Sequence, residues 1–137
     1  MVEIKVDYEG DLLMRAKHGP SGVEITTDAP VDNQGKGRSF SPTDLLATSL
    51  ATCMATIMAI VAERHHLSLE GMRIRVEKHM VKEPVRRVGS LIVEFFVPTV
   101  IEAKQQKLLE HAAHTCPVHA SLHPDIQIKI NFNWGKN

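Results

Sequence analysis

Residues 41–66 read SPTDLLATSLATCMATIMAIVAERHH, and the fold turns on this stretch. Ser41 is a helix N-cap residue, Pro42 stands at the first helical position where its missing N–H costs nothing, and Asp44 takes the acidic place of a capping box. From there Leu45, Leu46, Ala47, Leu50, Ala51, Cys53, Met54, Ile57, Met58, Ile60 and Val61 spread apolar groups around most of a helix, interrupted only by small Ser and Thr. Such a helix must be buried on nearly all sides. Polar character returns at Glu63 to His66 and ends it.

Outward from the helix, short alternating segments lie on both flanks. Upstream, EIKVDY (3–8), LLMRAK (12–17) and VEITTD (23–28) alternate at strand period, with a turn signal at Gly10-Asp11, and predict an antiparallel meander. APVDNQGKGRSF (29–40) has no apolar period and reads as a loop long enough to be functional. Downstream, LEGMRIRVEKHMV (69–81) and SLIVEFFVPT (90–99) flank the polar turn KEPVRRVG and predict a hairpin. Thr99 and Glu102 have capping-box spacing ahead of AKQQKLLEHAAHT (103–115), which places Leu108, Leu109, Ala112 and Ala113 on one face. Pro117 kinks that helix or starts a short new one with Cys116 at its N-cap. DIQIKINFNW (125–134) closes the chain as a strand.

The order β-β-β-α-β-β-α-β predicts an α+β fold rather than a doubly wound sheet. A single small sheet cannot cover a helix that is apolar all round. A homodimer with the Cys53 helix at its centre is therefore expected. The 137 residues, 43% of them hydrophobic, suit one domain spanning 1–137. Sixteen basic side chains balance sixteen acidic ones and the pI is about 7.1, so no basic footprint marks a nucleic-acid partner. The N-terminus lacks a signal-type apolar core and no membrane-spanning segment is expected, which places the chain in the cytoplasm.

In a reducing compartment two cysteines are reactive, metal-binding or plain core residues rather than a permanent staple. A thiol becomes a nucleophile as a thiolate, which needs a nearby cation, a helix N-terminus or a metal. Cys53 sits near mid-helix and needs a cation supplied by tertiary structure. Arg38, in the glycine-flanked loop, is the first candidate and Arg15, on a strand, the second; guanidinium stays charged when partly buried. Cys116 has His114 and His119 beside it and a possible N-cap position, so on local grounds it is the easier thiol to ionise. Plainer readings stand beside these: Cys53 as a small core hydrophobe, Asp44 as a capping carboxylate, Arg38 as a solvated side chain. His111, His114, Cys116, His119 and His123 offer metal-type ligands, but not in a standard closed zinc spacing. No metal or cofactor is expected. His18 and His79 lie in strand-like segments with no evident partner.

Taken together, FSPTDLLATSLATCMATIM (40–58) and HTCPVHASL (114–122) resemble the OsmC/Ohr superfamily, the osmotically inducible and organic hydroperoxide resistance proteins. The resemblance covers nearly the whole chain. The motif S-P-T-D-L-L-x(6)-C joined to the later C-P-V is specific; either half alone is weak. It implies an α+β fold of antiparallel sheets packed on a central helix, an intertwined homodimer, and active sites at the subunit interface. It further implies a peroxidase in which Cys53 attacks the hydroperoxide, Cys116 resolves the sulfenic acid to a disulfide, and a dithiol reductant resets the pair. Arg38 becomes the cation that activates Cys53.

In the Ohr branch a glutamate stands just after the helix-starting proline and orients that arginine. Here Thr43 holds that place and the acid follows as Asp44, turned by roughly 100 degrees around the helix. This places the chain nearer the OsmC-like branch and leaves the arginine's carboxylate partner open. The alternative function is a non-catalytic OsmC-like dimer binding an apolar ligand or a metal beside two reduced thiols.

Overall fold

Turn and cap residues set the boundaries of the elements. In the computed structural model, which describes residues 1–136, the order is β1 (Ile4–Gly10), β2 (Leu13–His18), β3 (Glu24–Asp28), α1 (Pro42–Arg64), β4 (Arg73–Val81), β5 (Arg87–Val97), α2 (Ala103–His114), α3 (Pro117–Ser121) and β6 (Gln127–Trp134). This is the expected α+β order, arranged as two three-stranded sheets, β1-β2-β3 and β4-β5-β6. The chain divides into two compact units, Met1–Leu46 and Ala47–Asn137.

The first unit is the predicted meander, antiparallel throughout. Its cross-strand partners sort the two faces, because directly opposed residues point the same way. Val6, Ala16 and Ile25 stand opposite one another, as do Tyr8, Met14 and Thr27. Ile4, Val6, Tyr8, Met14 and Ile25 of this face are all exposed. The other face carries Lys5, Lys17 and Glu24, and Asp7, Arg15 and Thr26. After β3 the loop folds back on itself: Asp28 N–H donates to Phe40 O at 3.0 Å, Gly37 N–H to Ala29 O at 3.2 Å and Gly35 N–H to Pro30 O at 2.9 Å. A Cβ at Gly35 would collide with the Ala29 carbonyl, so only glycine fits that close approach.

In the second unit β5 alternates from Ser90 to Val97, with Leu91, Val93, Phe95 and Val97 fully buried. Each such side chain contributes roughly 1.5–3 kcal/mol by leaving water. Leu50, Met54 and Met58 of α1 and Leu109, Ala112 and Ala113 of α2 are buried with them. Phe95 stacks on Phe132 at 5.0 Å and Phe132 on Trp134 at 6.2 Å. The Trp134 indole N–H donates to Glu110 Oε1 at 2.8 Å, tying β6 to α2.

Four expectations need correction. The second sheet is mixed rather than antiparallel, because β5 pairs β6 in parallel after the chain has crossed over through α2 and α3. Helix α1 is not buried all round: Ala47, Leu50, Ala51, Met54, Met58 and Ala62 form one buried stripe, while Cys53, Ile57 and Val61 are half-buried and Ile60 is exposed. The Thr99–Glu102 capping box does not form. Glu102 is itself the N-cap of α2, with no side-chain cap, and the Gln106 side chain bonds Ile101 O at 2.8 Å. Finally, α1 is long and apolar enough to cross a membrane by length and composition; a core helix passes the same test, and here the buried stripe of α1 lies in the protein core. The helix ends at Arg64; beyond it His66 takes the left-handed conformation with φ 56° while Leu67 N–H donates back to Ala62 O at 2.9 Å.

Candidate functional site

The capping box at the start of α1 forms as the sequence predicts. Ser41 N–H donates to Asp44 Oδ2 at 2.8 Å and Asp44 N–H donates to Ser41 Oγ at 3.1 Å, which is the capping role of that carboxylate. Cys53 follows about three turns later, half-buried beside the fully buried stripe. Cys116 is the N-cap of α3 with Pro117 at the first helical position. Its Sγ accepts the His119 N–H at 3.2 Å.

The second unit brings the two cysteines together. Both are free thiols, and Cys116 is fully buried. Cys53 is a near neighbour of the Cys116 thiol and acts on its ionisation. Burial pushes the Cys116 pKa up. The His119 and Val118 amides pull the other way, but Cys53 pushes it up further. The cap amide expected at Cys116 is present, and desolvation outweighs it.

The histidines do not form one cluster. The His114 ring lies 6.3 Å from that of His119 and 6.2 Å from that of Phe132, and its Nδ1 donates to Glu110 O at 2.7 Å. His111 lines a separate surface groove of about 630 Å³ with His65, Lys104 and Leu108. His123 lies 3.8 Å from Asp125. Among the described residues no three His, Cys, Asp or Glu side chains are grouped to hold a metal ion. His18 and His79, read as partnerless, have partners in Ser21 at 2.6 Å and Glu77 at 3.0 Å.

The first unit holds Arg38 in a cluster of carboxylates. Arg38 Nε donates to Asp28 Oδ2 at 2.7 Å and Nη2 to Asp28 Oδ1 at 3.3 Å, a bidentate pair, while the Arg38 backbone N–H donates to the same Oδ2 at 3.0 Å. Nη1 reaches Asp11 Oδ2 at 3.2 Å and Nη2 the Asp11 carbonyl at 2.8 Å. Lys36 Nζ lies 2.8 Å from the same Asp11 carboxylate. Asp28 is 1% exposed, and the Arg38 guanidinium pushes its pKa down to about 2. Asp11 is lowered too, first by Lys36 and then by Arg38. Arg15, the second candidate cation, is engaged elsewhere, by Glu9 at 2.7 Å and Glu24 at 3.3 Å.

The profile of the OsmC-like protein family matches residues 35–131. The chain belongs to the OsmC-like family. A solved protein from Psychrobacter arcticus 273-4, assigned provisionally to osmotic stress induction and a detoxification response, is 47% identical with a TM-score of 0.92, over 97% of this chain and 96% of that one. The OsmC fold is shared at low identity by an organic hydroperoxide resistance protein OsmC from Legionella pneumophila, at 16% and TM-score 0.76 over 97% and 96% of the chains. An OsmC-like protein from Mycoplasma pneumoniae matches at 16% and 0.82 over 98% and 96%. No curated protein matches the sequence.

Asp28 and Asp11 went unseen in the sequence. Asp28 ends a strand and Asp11 sits in a hairpin turn, positions where an aspartate needs no functional explanation. Only the returning loop brings Arg38 onto them.

Proposed function

We propose that this chain is a thiol-dependent peroxidase that reduces organic hydroperoxides by a two-cysteine cycle. The Cys53 thiolate attacks the terminal peroxide oxygen and the O–O bond breaks; Cys53 becomes a sulfenic acid and the alkoxide leaves, taking a proton to become the alcohol. The Cys116 sulfur then attacks the Cys53 sulfur, forming a disulfide and releasing water. A dithiol reductant returns both to thiols by two exchange steps and is itself oxidised to a disulfide.

One observation carries this reading: a half-buried free thiol and a fully buried free thiol that lie close enough for Cys53 to help push the Cys116 pKa up. The accessible sulfur meets the substrate, and the sealed one is kept neutral until it is needed. The half-buried flank of α1 around Cys53, with Ile57 and Val61, suits an alkyl tail. Names of solved relatives that are organic hydroperoxide resistance proteins point the same way. Arg38 acts as the cation for Cys53, and Asp44 acts by capping the helix that carries it.

Residues 1–137 work as one OsmC-like domain, since the family match runs across the boundary between the two units. The active form is an intertwined homodimer; the exposed apolar face of β1-β2-β3 and the partly covered flank of α1 both call for a second copy. The site of action is a reducing cytoplasm, where the resting thiols persist.

The test is consumption of cumene hydroperoxide with dithiothreitol as reductant. Wild-type protein is expected to turn over repeatedly and Cys53→Ser to fall to the uncatalysed background. Equal rates for the two would sink the peroxidase and favour a protein that only binds apolar ligands.

A further inference from the structure

The exposed side of α2 carries a stripe that the thiol chemistry does not use. Lys104, Lys107, Leu108 and His111 stand at i, i+3, i+4 and i+7 along that helix, so they share one face. Leu109, Ala112 and Ala113 turn into the core instead. Leu108, grouped with them by the sequence pattern, stays 37% exposed. His65, one residue past the end of α1, faces the same stripe across the groove of about 630 Å³. That size falls within the roughly 300–1,000 Å³ of small-molecule sites. Neither Cys53 nor Cys116 lines it.

The polar groups around that leucine have no partners of their own. Among the described residues, no hydrogen bond or ion pair holds the side chains of Lys104, Lys107, His65 or His111. Other cations of the molecule are matched: Arg15 by Glu9 and Glu24, Lys36 by Asp11, and Arg75 by Glu94. One unpaired surface lysine is ordinary. Two of them gathered with two imidazoles around an exposed leucine make a cationic rim over an apolar floor. Glu102 is the one carboxylate in the lining. Two ammonium groups against its single negative charge leave an excess of one positive charge, before either imidazole is protonated. We propose that this groove binds a small amphipathic anion, a molecule with one carboxylate on an alkyl tail. The carboxylate meets Lys104 and Lys107, the imidazole N–H groups of His65 and His111 add donors, and the tail covers Leu108. A singly charged head matches the excess, which a phosphate dianion would exceed. The site stands apart from the peroxide chemistry and does not depend on it.

The experiment follows the backbone amide resonances of the full chain, labelled with nitrogen-15, as octanoate is added. Octanol serves as the tail alone and acetate as the head alone. Octanoate should shift the resonances of residues 104–111 saturably, with a Kd of about 1 mM or tighter, and each control should bind at least about tenfold more weakly. Lys104→Gln combined with Lys107→Gln removes both charges from exposed positions and should weaken octanoate by about tenfold or more. Leu108→Ser should weaken it by a smaller factor. All three substitutions change exposed side chains, and unchanged resonances in β4, β5 and β6 show that the fold is kept. Cys53→Ser should bind octanoate as the wild type does, which separates this groove from the flank of α1 assigned to the peroxide tail. Binding that the lysine variant leaves unchanged, or that shifts the residues around Cys53 instead, would overturn the assignment. Acetate binding as tightly as octanoate, or no saturable shift at all, would overturn it too.

Discussion

The thiol pair of Ala47–Asn137 and the arginine cluster of Met1–Leu46 answer to opposite forces. Removal from water comes first for Cys116, and its pKa moves up, toward the neutral form. Pairing with Arg38 comes first for Asp28, and its pKa moves down, toward the charged form, although that carboxylate is as deeply buried. What separates them is the partner. The neighbour of Cys116 is another thiol, whereas Asp28 meets a guanidinium that donates in two directions. Burial alone therefore does not say whether a group will ionise; the donors facing it decide.

The largest expected effect breaks the pair on the sulfur side. Cys116→Ser should consume one equivalent of hydroperoxide and then stall, leaving Cys53 as a sulfenic acid that a dimedone probe labels; continued turnover with dithiothreitol would show that Cys116 is dispensable. Next in size is a change to the core that supports the pair. Phe95, fully buried and stacked on Phe132, should cost about 3–5 kcal/mol when replaced by Ala, measured as the loss of unfolding free energy in urea. A loss below about 1 kcal/mol would mean that the second unit is not held by this core.

A smaller effect is expected at the capping box. Ser41→Ala removes one of two reciprocal bonds and should cost about 1 kcal/mol. The smallest sharpens the comparison through pH. The Asp28 pKa is lowered from 3.8 to about 2 on folding, so its stabilisation is complete above the unfolded value and disappears as pH falls toward about 2. Urea midpoints followed from pH 5 to pH 2 should decline in the wild type and decline less steeply in Asp28→Asn. Parallel curves would remove the charge pair from the account of that unit.

The same contrast explains what could be read from the sequence. The thiol region is governed by local rules. Ser41, Pro42 and Asp44 announce the cap, Pro117 announces a new helix with Cys116 before it, and alternation marks β5. These signals act over a few residues, and the structure obeys them. The arginine cluster joins residues 27 and 10 positions apart, Arg38 with Asp11 and with Asp28, through a loop without period, and no local signal announces such a pairing. At Cys116 the N-cap position predicts the amide donor but not the burial that outweighs it. Parallel pairing of β5 with β6 was likewise beyond the strand pattern, which is the same for either direction.

The central claim is that Cys53 and Cys116 work as one redox pair, and intact mass tests it most directly. Reduced wild-type protein, treated with one equivalent of cumene hydroperoxide, should lose about two mass units as the disulfide forms, and regain them with dithiothreitol. A gain of about sixteen units without the later loss would contradict the pairing, and an unchanged mass would contradict the peroxidase chemistry itself.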